Sequence, residues 1–243
     1  MRNYIFILLI SLIPFKKNLA KDELFKKANN LYAKENFKDA TLIYDSILQL
    51  GYESNELYYN LGNCYYKENN WSEAIWHYEK SLKLKYNEST IQNLQLAKLR
   101  ITDHIEPLPE LFYIKWRKKI TNIYTTLTWQ LLSICMAWTL LLIYIINKYF
   151  NFRKNLFKPI LLFSIILYII SYNAYIDNVT KKEAIIFSTS ITVNSAPSIN
   201  STELFLLHSG VKIEIIDEIG EWINIRTSNG NKGWIKTNNC KAL

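Results

Sequence analysis

Cysteine is scarce and scattered: Cys64, Cys135 and Cys240 are the only three in 243 residues, and no CxxC pairs them. An odd set spread over three segments argues against a disulfide framework and against a zinc site. Cys64 and Cys135 read as small buried hydrophobes. Histidine is as rare. His77, His104 and His208 lack the neighbours that would make any of them the base of a nucleophile pair. His77 falls on a helical pattern and reads as a groove or surface residue. HExxH, GxSxG and a phosphate loop are all missing. These absences predict a chain that is not an enzyme and holds neither metal nor cofactor.

Acidic residues are outnumbered, giving a net charge of +8. A basic groove interleaved with aromatics is lacking, so nucleic acid is not the expected partner. The cations instead flank apolar runs, at Lys115 to Lys119 and at Arg153, Lys154 and Lys158, where anionic headgroups would attract them. Charge of either sign is absent from Ile120 to Asn147 and from Pro159 to Ile176. Twenty residues of helix cover roughly 30 Å, the thickness of the hydrocarbon core. Two membrane spans are predicted, at 127–147 and 159–177. The loop 148–158 carries four cations and no acid, which places it in the cytoplasm and both flanking modules outside. The equally basic stretch before the first span pulls the other way. Residues 1–20, a basic start and a short apolar run, read as a signal peptide or N-terminal anchor.

Before the spans the chain repeats itself. A shift of 34 residues brings Ala28 onto Gly62, Asn29 onto Asn63, Tyr32 onto Tyr66, Ala40 onto Ala74 and Tyr44 onto Tyr78. Apolar positions in each unit recur at helical spacing. Leu61-Gly62-x-x-Tyr65 with Ala74 and Tyr78 resembles a tetratricopeptide repeat. The first unit is degenerate, with Lys27-Ala28 in place of Leu-Gly. The expected module spans 21–103: units at 21–54 and 55–88, then a capping helix from Ser89 to Asp103. In this repeat type the first helix of each unit lines a concave face. The resemblance therefore assigns a peptide groove to Phe25, Asn29, Tyr32, Tyr59, Asn60, Asn63 and Tyr66. Asparagine offers a peptide backbone donor and acceptor together. Bonding between helices is the alternative use of Asn29 and Asn63.

Glu106-Pro107-Leu108-Pro109-Glu110-Leu111-Phe112-Tyr113 follows. Prolines at 107 and 109 disfavour helix. Residues 104–126 are expected to be a Pro-containing linker and a basic juxtamembrane segment, in which the stretch 106–113 is an extended stand-off between repeats and bilayer, with Leu111, Phe112, Tyr113 and Trp116 in the headgroup layer. From Ala184 the period changes to two. Val211, Ile213 and Ile215 alternate with polar residues, and Asn229-Gly230 signals a hairpin. Ala196-Pro197, Gly210, Trp222-x-x-Ile225 and Gly233-Trp234-Ile235 resemble bacterial SH3-like domains, a small barrel at 178–243. Trp222 and Trp234 are candidates for a ligand surface, with core packing the favoured role.

The fold class expected is a multi-domain membrane protein of helical repeats, a two-helix hairpin and a small all-β barrel. That order, with Asn93-Leu94-Gln95-Leu96-Ala97, Ile105 to Phe112 and Thr202-Glu203-Leu204-Phe205, resembles the BatE family of the Bacteroidetes aerotolerance operon. The resemblance implies an inner-membrane component, with both modules periplasmic, beside von Willebrand factor A-type membrane proteins and, indirectly, a MoxR-type ATPase. A scaffold is the leading function. A wall-associated protein whose barrel binds peptidoglycan or wall peptides, assisting a hydrolase, is the alternative.

Overall fold

The computed structural model describes residues 21–150, 157–179 and 181–243. The signal or anchor expected at 1–20 and residues 151–156 of the loop lie outside the described residues. Five helices come first: α1 (residues 21–33), α2 (Phe37–Gln49), α3 (Asn55–Lys67), α4 (Trp71–Leu84) and α5 (Glu88–Lys98). Asn36, Ser54, Asn70 and Asn87 cap α2 to α5, each accepting from a backbone N–H three residues on. Each thereby satisfies a donor that the helix cannot. The turns inside the two hairpins are the same device. Glu35 (φ 59°) and Asn69 (φ 61°) adopt the left-handed conformation. The following N–H reaches back five residues, Asn36 to Leu31 O at 3.0 Å and Asn70 to Tyr65 O at 2.9 Å. That pattern closes a helix and reverses the chain.

Small residues let the hairpins close. Ala28, Ala40, Gly62 and Ala74 face inward, against Tyr44 and Tyr78, each 1% exposed. One buried cluster joins α1, α2 and α3 through Ala28, Tyr44, Ile47, Leu57, Leu61 and Cys64. A second joins α3, α4 and α5 and includes Ile185 from the C-terminal module. The capping helix, α5, is shorter than expected. It stops at Lys98, and the chain then turns so that Ile101 and Ile105 pack on the barrel core.

The linker 104–126 is not extended throughout. Its second half forms α6 (Phe112–Thr121), tied to the hairpin rather than free. α7 (Thr126–Phe150) and α8 (Phe157–Val179) pack on each other. They run slightly beyond the expected spans, and residues 178 and 179 end α8 instead of opening the barrel. Their windows Thr126–Tyr149 and Phe157–Asp177 have mean hydropathies of 2.0 and 1.8, long and apolar enough to cross a membrane.

The C-terminal module is one antiparallel sheet of seven strands in the order β3-β2-β6-β5-β4-β1-β7. The strands are β1 (Lys182–Ile186), β2 (Ser190–Asn194), β3 (Glu203–His208), β4 (Lys212–Ile219), β5 (Trp222–Thr227), β6 (Lys232–Lys236) and β7 (Cys240–Ala242). Alternate residues fill its core: Val193, Leu207, Val211, Ile213, Ile223, Ile225 and Ile235. A register shift between Ile215 and Asp217 breaks the alternation, and Ile216 and Ile219 turn outward. The Asn229-Gly230 turn forms as the sequence suggests, with Gly230 at φ 89°. The core-packing role favoured for Trp222 and Trp234 is corrected. Ile223, Ile225 and Ile235 take the inward positions, so period two leaves both tryptophans half-buried on the outer face. Lys236 lies over the Trp222 ring, 6.0 Å from its centroid.

Candidate functional site

The first helices of the units, α1, α3 and α5, line one side of the stack. A cleft of about 200 Å³ opens there between Tyr32, Asn63, Tyr66, Lys67, Tyr78, Asn93 and Leu96. It brings together three of the seven residues assigned from sequence: Tyr32, Asn63 and Tyr66. Phe25, Asn29, Tyr59 and Asn60 lie beside it in the stack. Phe25 packs edge-on against Tyr44, their centroids 5.6 Å apart. Tyr59 tilts against Tyr78 and accepts from Asn93 Nδ2 at 3.2 Å.

The asparagines have structural work in this wall. Asn29 Oδ1 accepts from Tyr44 Oη at 2.5 Å and from Asn60 Nδ2 at 3.1 Å. Asn63 Oδ1 accepts from Tyr78 Oη and from Asn93 Nδ2, both at 2.8 Å. The same bridge thus recurs: a tyrosine of the unit's second helix, the asparagine of its first, and an asparagine of the next first helix. Burial pushes the pKa of both phenols well up, so the hydroxyls stay donors. The carbonyl oxygens are occupied. The Nδ2 groups of Asn29 and Asn63 make no hydrogen bond among the described residues, and of the two asparagines Asn63 lines the cleft. Lys67, Tyr78, Asn93 and Leu96 are not among the residues the sequence assigns. Lys67 lies one residue beyond the last position carried over, Tyr78 stands on the second helix of its unit, and α5 is a wall of the cleft as well as a cap.

The opposite side of the stack is covered. α4 presents Glu73, Trp76, Glu79 and Lys83 at helical spacing, and the barrel docks on them. Glu79 is 7% exposed. Its Oε1 meets Lys98 Nζ at 2.9 Å and its Oε2 meets Lys212 Nζ at 2.8 Å. Lys212 also pairs with Glu183 at 3.0 Å, and Glu183 with Lys83 at 3.8 Å. Burial alone would raise the Glu79 pKa, but Lys212 and Lys98 outweigh it and hold the carboxyl below the usual range. Trp76 Nε1 donates to Ala242 O at 2.9 Å, and Lys241 Nζ sits 3.7 Å from the Trp76 ring centroid while pairing with Glu73 at 3.3 Å. The extended half of the linker completes the lock. Asp103 accepts from the His208 backbone N–H at 2.6 Å and bonds its Nδ1 at 2.9 Å, and Leu108 N–H donates to Ser228 O at 3.1 Å. The Pro-containing segment therefore runs along the barrel and does not hold the repeats away from the bilayer by itself.

Cys64, Cys240 and His77 are muted, whereas Cys135 is exposed on α7 rather than buried. Burial pushes the thiols of Cys64 and Cys240 up to about 11, so neither is a ready thiolate at neutral pH. His77 is 3% exposed among Tyr58, Tyr65 and Trp76. Burial first, then Lys241 and Lys80, lower its pKa to about 3. At 3.7 Å from Glu73, the imidazole is consequently neutral and forms no ion pair at neutral pH; Glu73 pairs with Lys241 instead. The groove or surface position that the sequence suggests for His77 is corrected: the ring is packed between α3 and α4. No group of three or more His, Cys, Asp or Glu side chains placed to hold a metal occurs among the described residues.

Among curated proteins, nothing matches the chain. Two family models do: the tetratricopeptide repeat over residues 56–85, which is the second unit, and the bacterial SH3 domain over residues 190–239, which is β2 to the turn before β7.

Proposed function

We propose that this chain is a non-enzymatic scaffold of the BatE type, anchored in the bacterial inner membrane with repeats and barrel together in the periplasm. The observation that carries it is the open cleft at Asn63, Tyr66 and Lys67 on one side of the stack while the barrel occupies the other. The unpartnered Asn63 Nδ2 donor suits a main-chain carbonyl of an extended peptide, and Lys67 suits an acidic group on it. The order of modules and the linker motif support placing that peptide on a von Willebrand factor A-type membrane protein, with a MoxR-type ATPase reached indirectly. The outward orientation is supported by charge. Arg117 and Lys118 of the basic stretch pair with Asp177 and Glu110, whereas the loop 148–158 has four cations and no acid. The muted thiols support the absence of catalysis.

Alkaline phosphatase fused after Leu243 is expected to be active, and the same reporter within 148–158 inactive. The reverse pattern would turn both modules to the cytoplasm.

For the groove, Lys67→Glu is the suitable probe, because Asn63→Ala would also strip a buried phenol of its acceptor. Co-purification of the membrane partner is expected to fall at least tenfold with the fold intact, a loss of about 1.4 kcal/mol. Unchanged recovery rejects the groove. The half-buried Trp222 and Trp234 on the outer face of the barrel favour one second reading, a wall-binding surface. Retention on isolated sacculi that Trp234→Ala abolishes would promote it.

A further inference from the structure

α6 is divided lengthwise. Arg117 and Thr121 turn toward α8: Arg117 reaches Asn173 Oδ1 at 3.1 Å and Asp177 Oδ2 at 2.8 Å, and Thr121 is buried. Trp129 of α7 donates from Nε1 to Thr121 O at 3.0 Å. These bonds fix α6 at the level of the last turns of α8 and the first turn of α7. The far side carries two i,i+4 pairs. Phe112 and Trp116 are 83% and 67% exposed, and the exposed Lys115 and Lys119 run beside them. Lys118 is spoken for by Glu110. Lys115 and Lys119 have no ion pair among the described residues.

We infer that this face of α6 is a lipid-reading surface that binds anionic phospholipid headgroups in the leaflet beside the repeats and barrel. Three observations converge on that occupant. The aromatic pair continues the belt formed by the exposed Tyr124, Tyr172 and Tyr175 at the same end of the hairpin, so its surroundings are the interfacial layer. The lysines are complementary to phosphate charge, and paired Lys and aromatic stripes on a short helix are what an interface retains. The helix cannot turn this face inward, because the Arg117 ion pair holds its other side. The inference rests on α7 and α8 being membrane spans. Since α6 is continuous with the Pro-containing segment strapped to the barrel at Ser228, lipid bound here would set the height and tilt of the docked modules above the bilayer.

The test uses the full chain in nanodiscs of phosphatidylcholine containing brominated lipid at one fixed mole fraction. The brominated lipid is either phosphatidylcholine or phosphatidylglycerol, with the bromines near the carbonyl end of the acyl chains. The signal of Trp116 is the wild-type emission minus that of Trp116→Phe. Brominated phosphatidylglycerol is expected to quench it several-fold more than brominated phosphatidylcholine, and Lys115→Gln/Lys119→Gln to abolish the difference. Each lysine contributes about fivefold to local anionic-lipid occupancy. Equal quenching by the two lipids in the wild type would overturn the charge preference and the proposal with it. No quenching by either would show the face covered by protein or lifted off the bilayer, and also overturns it. A chain that fails to enter the discs at all contradicts the spanning helices themselves, a different result from either.

Discussion

Replacing Glu79 by alanine is expected to release the barrel from the repeats while leaving each folded. The carboxylate is 7% exposed and is the shared partner of Lys98 and Lys212. Removing one member of a buried pair leaves the other charges without compensation, at a cost of about 3–5 kcal/mol. Here Lys98 is 42% exposed at its side chain and Lys212 keeps Glu183, so about 2–3 kcal/mol is the better figure. The other directional contacts are all more exposed than Glu79: one indole bond, the Lys241–Glu73 pair with its cation over the Trp76 ring, the longer Lys83–Glu183 pair, and the linker bonds of Asp103 and Leu108. Hydrogen exchange on the full chain in nanodiscs should show β1, β7 and the outer face of α4 losing protection together, with α1 to α3 unchanged. Intact protection at β1 would mean that apolar contact through Ile185 and Trp76 holds the modules without the charges. Glu79→Met/Lys212→Met separates the alternatives further. It replaces an ion pair by apolar volume and should restore much of the docking. The same carboxylate makes the docking acid-sensitive. Its folded pKa is depressed, so its contribution is present above the unfolded value of 4.5 and is lost as pH falls through the folded one.

Much of this organisation was legible in the sequence, because it rests on short-range rules. The 34-residue repeat, the charge-free spans and the Asn229-Gly230 hairpin are each dictated by residues close together in the chain. What was not legible depends on partners far apart. Glu79 and Lys212 are separated by 133 positions and Trp76 and Ala242 by 166; no local pattern announces either contact. Trp222 and Trp234 were misplaced because a tryptophan on a strand favours the core on average, while the parity of this strand is set by Ile223, Ile225 and Ile235. α6 was hidden by the two prolines before it, which end their influence at Leu111. The groove asparagines were recognised by position, but their carbonyl bonds require knowing that a tyrosine stands opposite. The repeat itself held that clue, since Tyr44 and Tyr78 recur with Asn29 and Asn63.

Gly62→Ala is expected to be the most damaging single-methyl change in the repeats. Two effects oppose each other. Alanine is the better helix former by about 1 kcal/mol in a helix interior, and Gly62 sits in the middle of α3. Against that, a Cβ at Gly62 would stand 2.5 Å from both Cδ1 and Cε1 of Tyr78 and 3.1 Å from its Cγ. The ring cannot swing aside. It is 1% exposed, its hydroxyl is bonded to Asn63, and Ala74 and Ile75 are fully buried beside it. Overpacking of this kind costs about 1–3 kcal/mol, occasionally more. With ring carbons as the contact and no flexible end to yield, the upper part of that range applies. A net loss of about 2 kcal/mol follows once the propensity gain is subtracted. Chemical unfolding of the full chain in nanodiscs, followed through tryptophan emission, measures it. The first unit is the internal control. Ala28 occupies the equivalent place and is fully buried against Tyr44, so a Cβ can be accommodated where the helices stand slightly apart. Gly62→Ala/Tyr78→Phe should be no better than the single change, because the clash lies at the ring carbons and the half-buried acceptor Asn63 loses a donor. Gly62→Ala/Tyr78→Leu should recover part of the loss relative to the sum of the two single changes. A positive coupling there, and none with phenylalanine, assigns the close approach of α3 and α4 to the ring plane. If Gly62→Ala instead stabilises the chain, the helices have separated without cost, and the cleft at Asn63, one residue along α3, is softer than its bonds to Tyr78 and Asn93 imply.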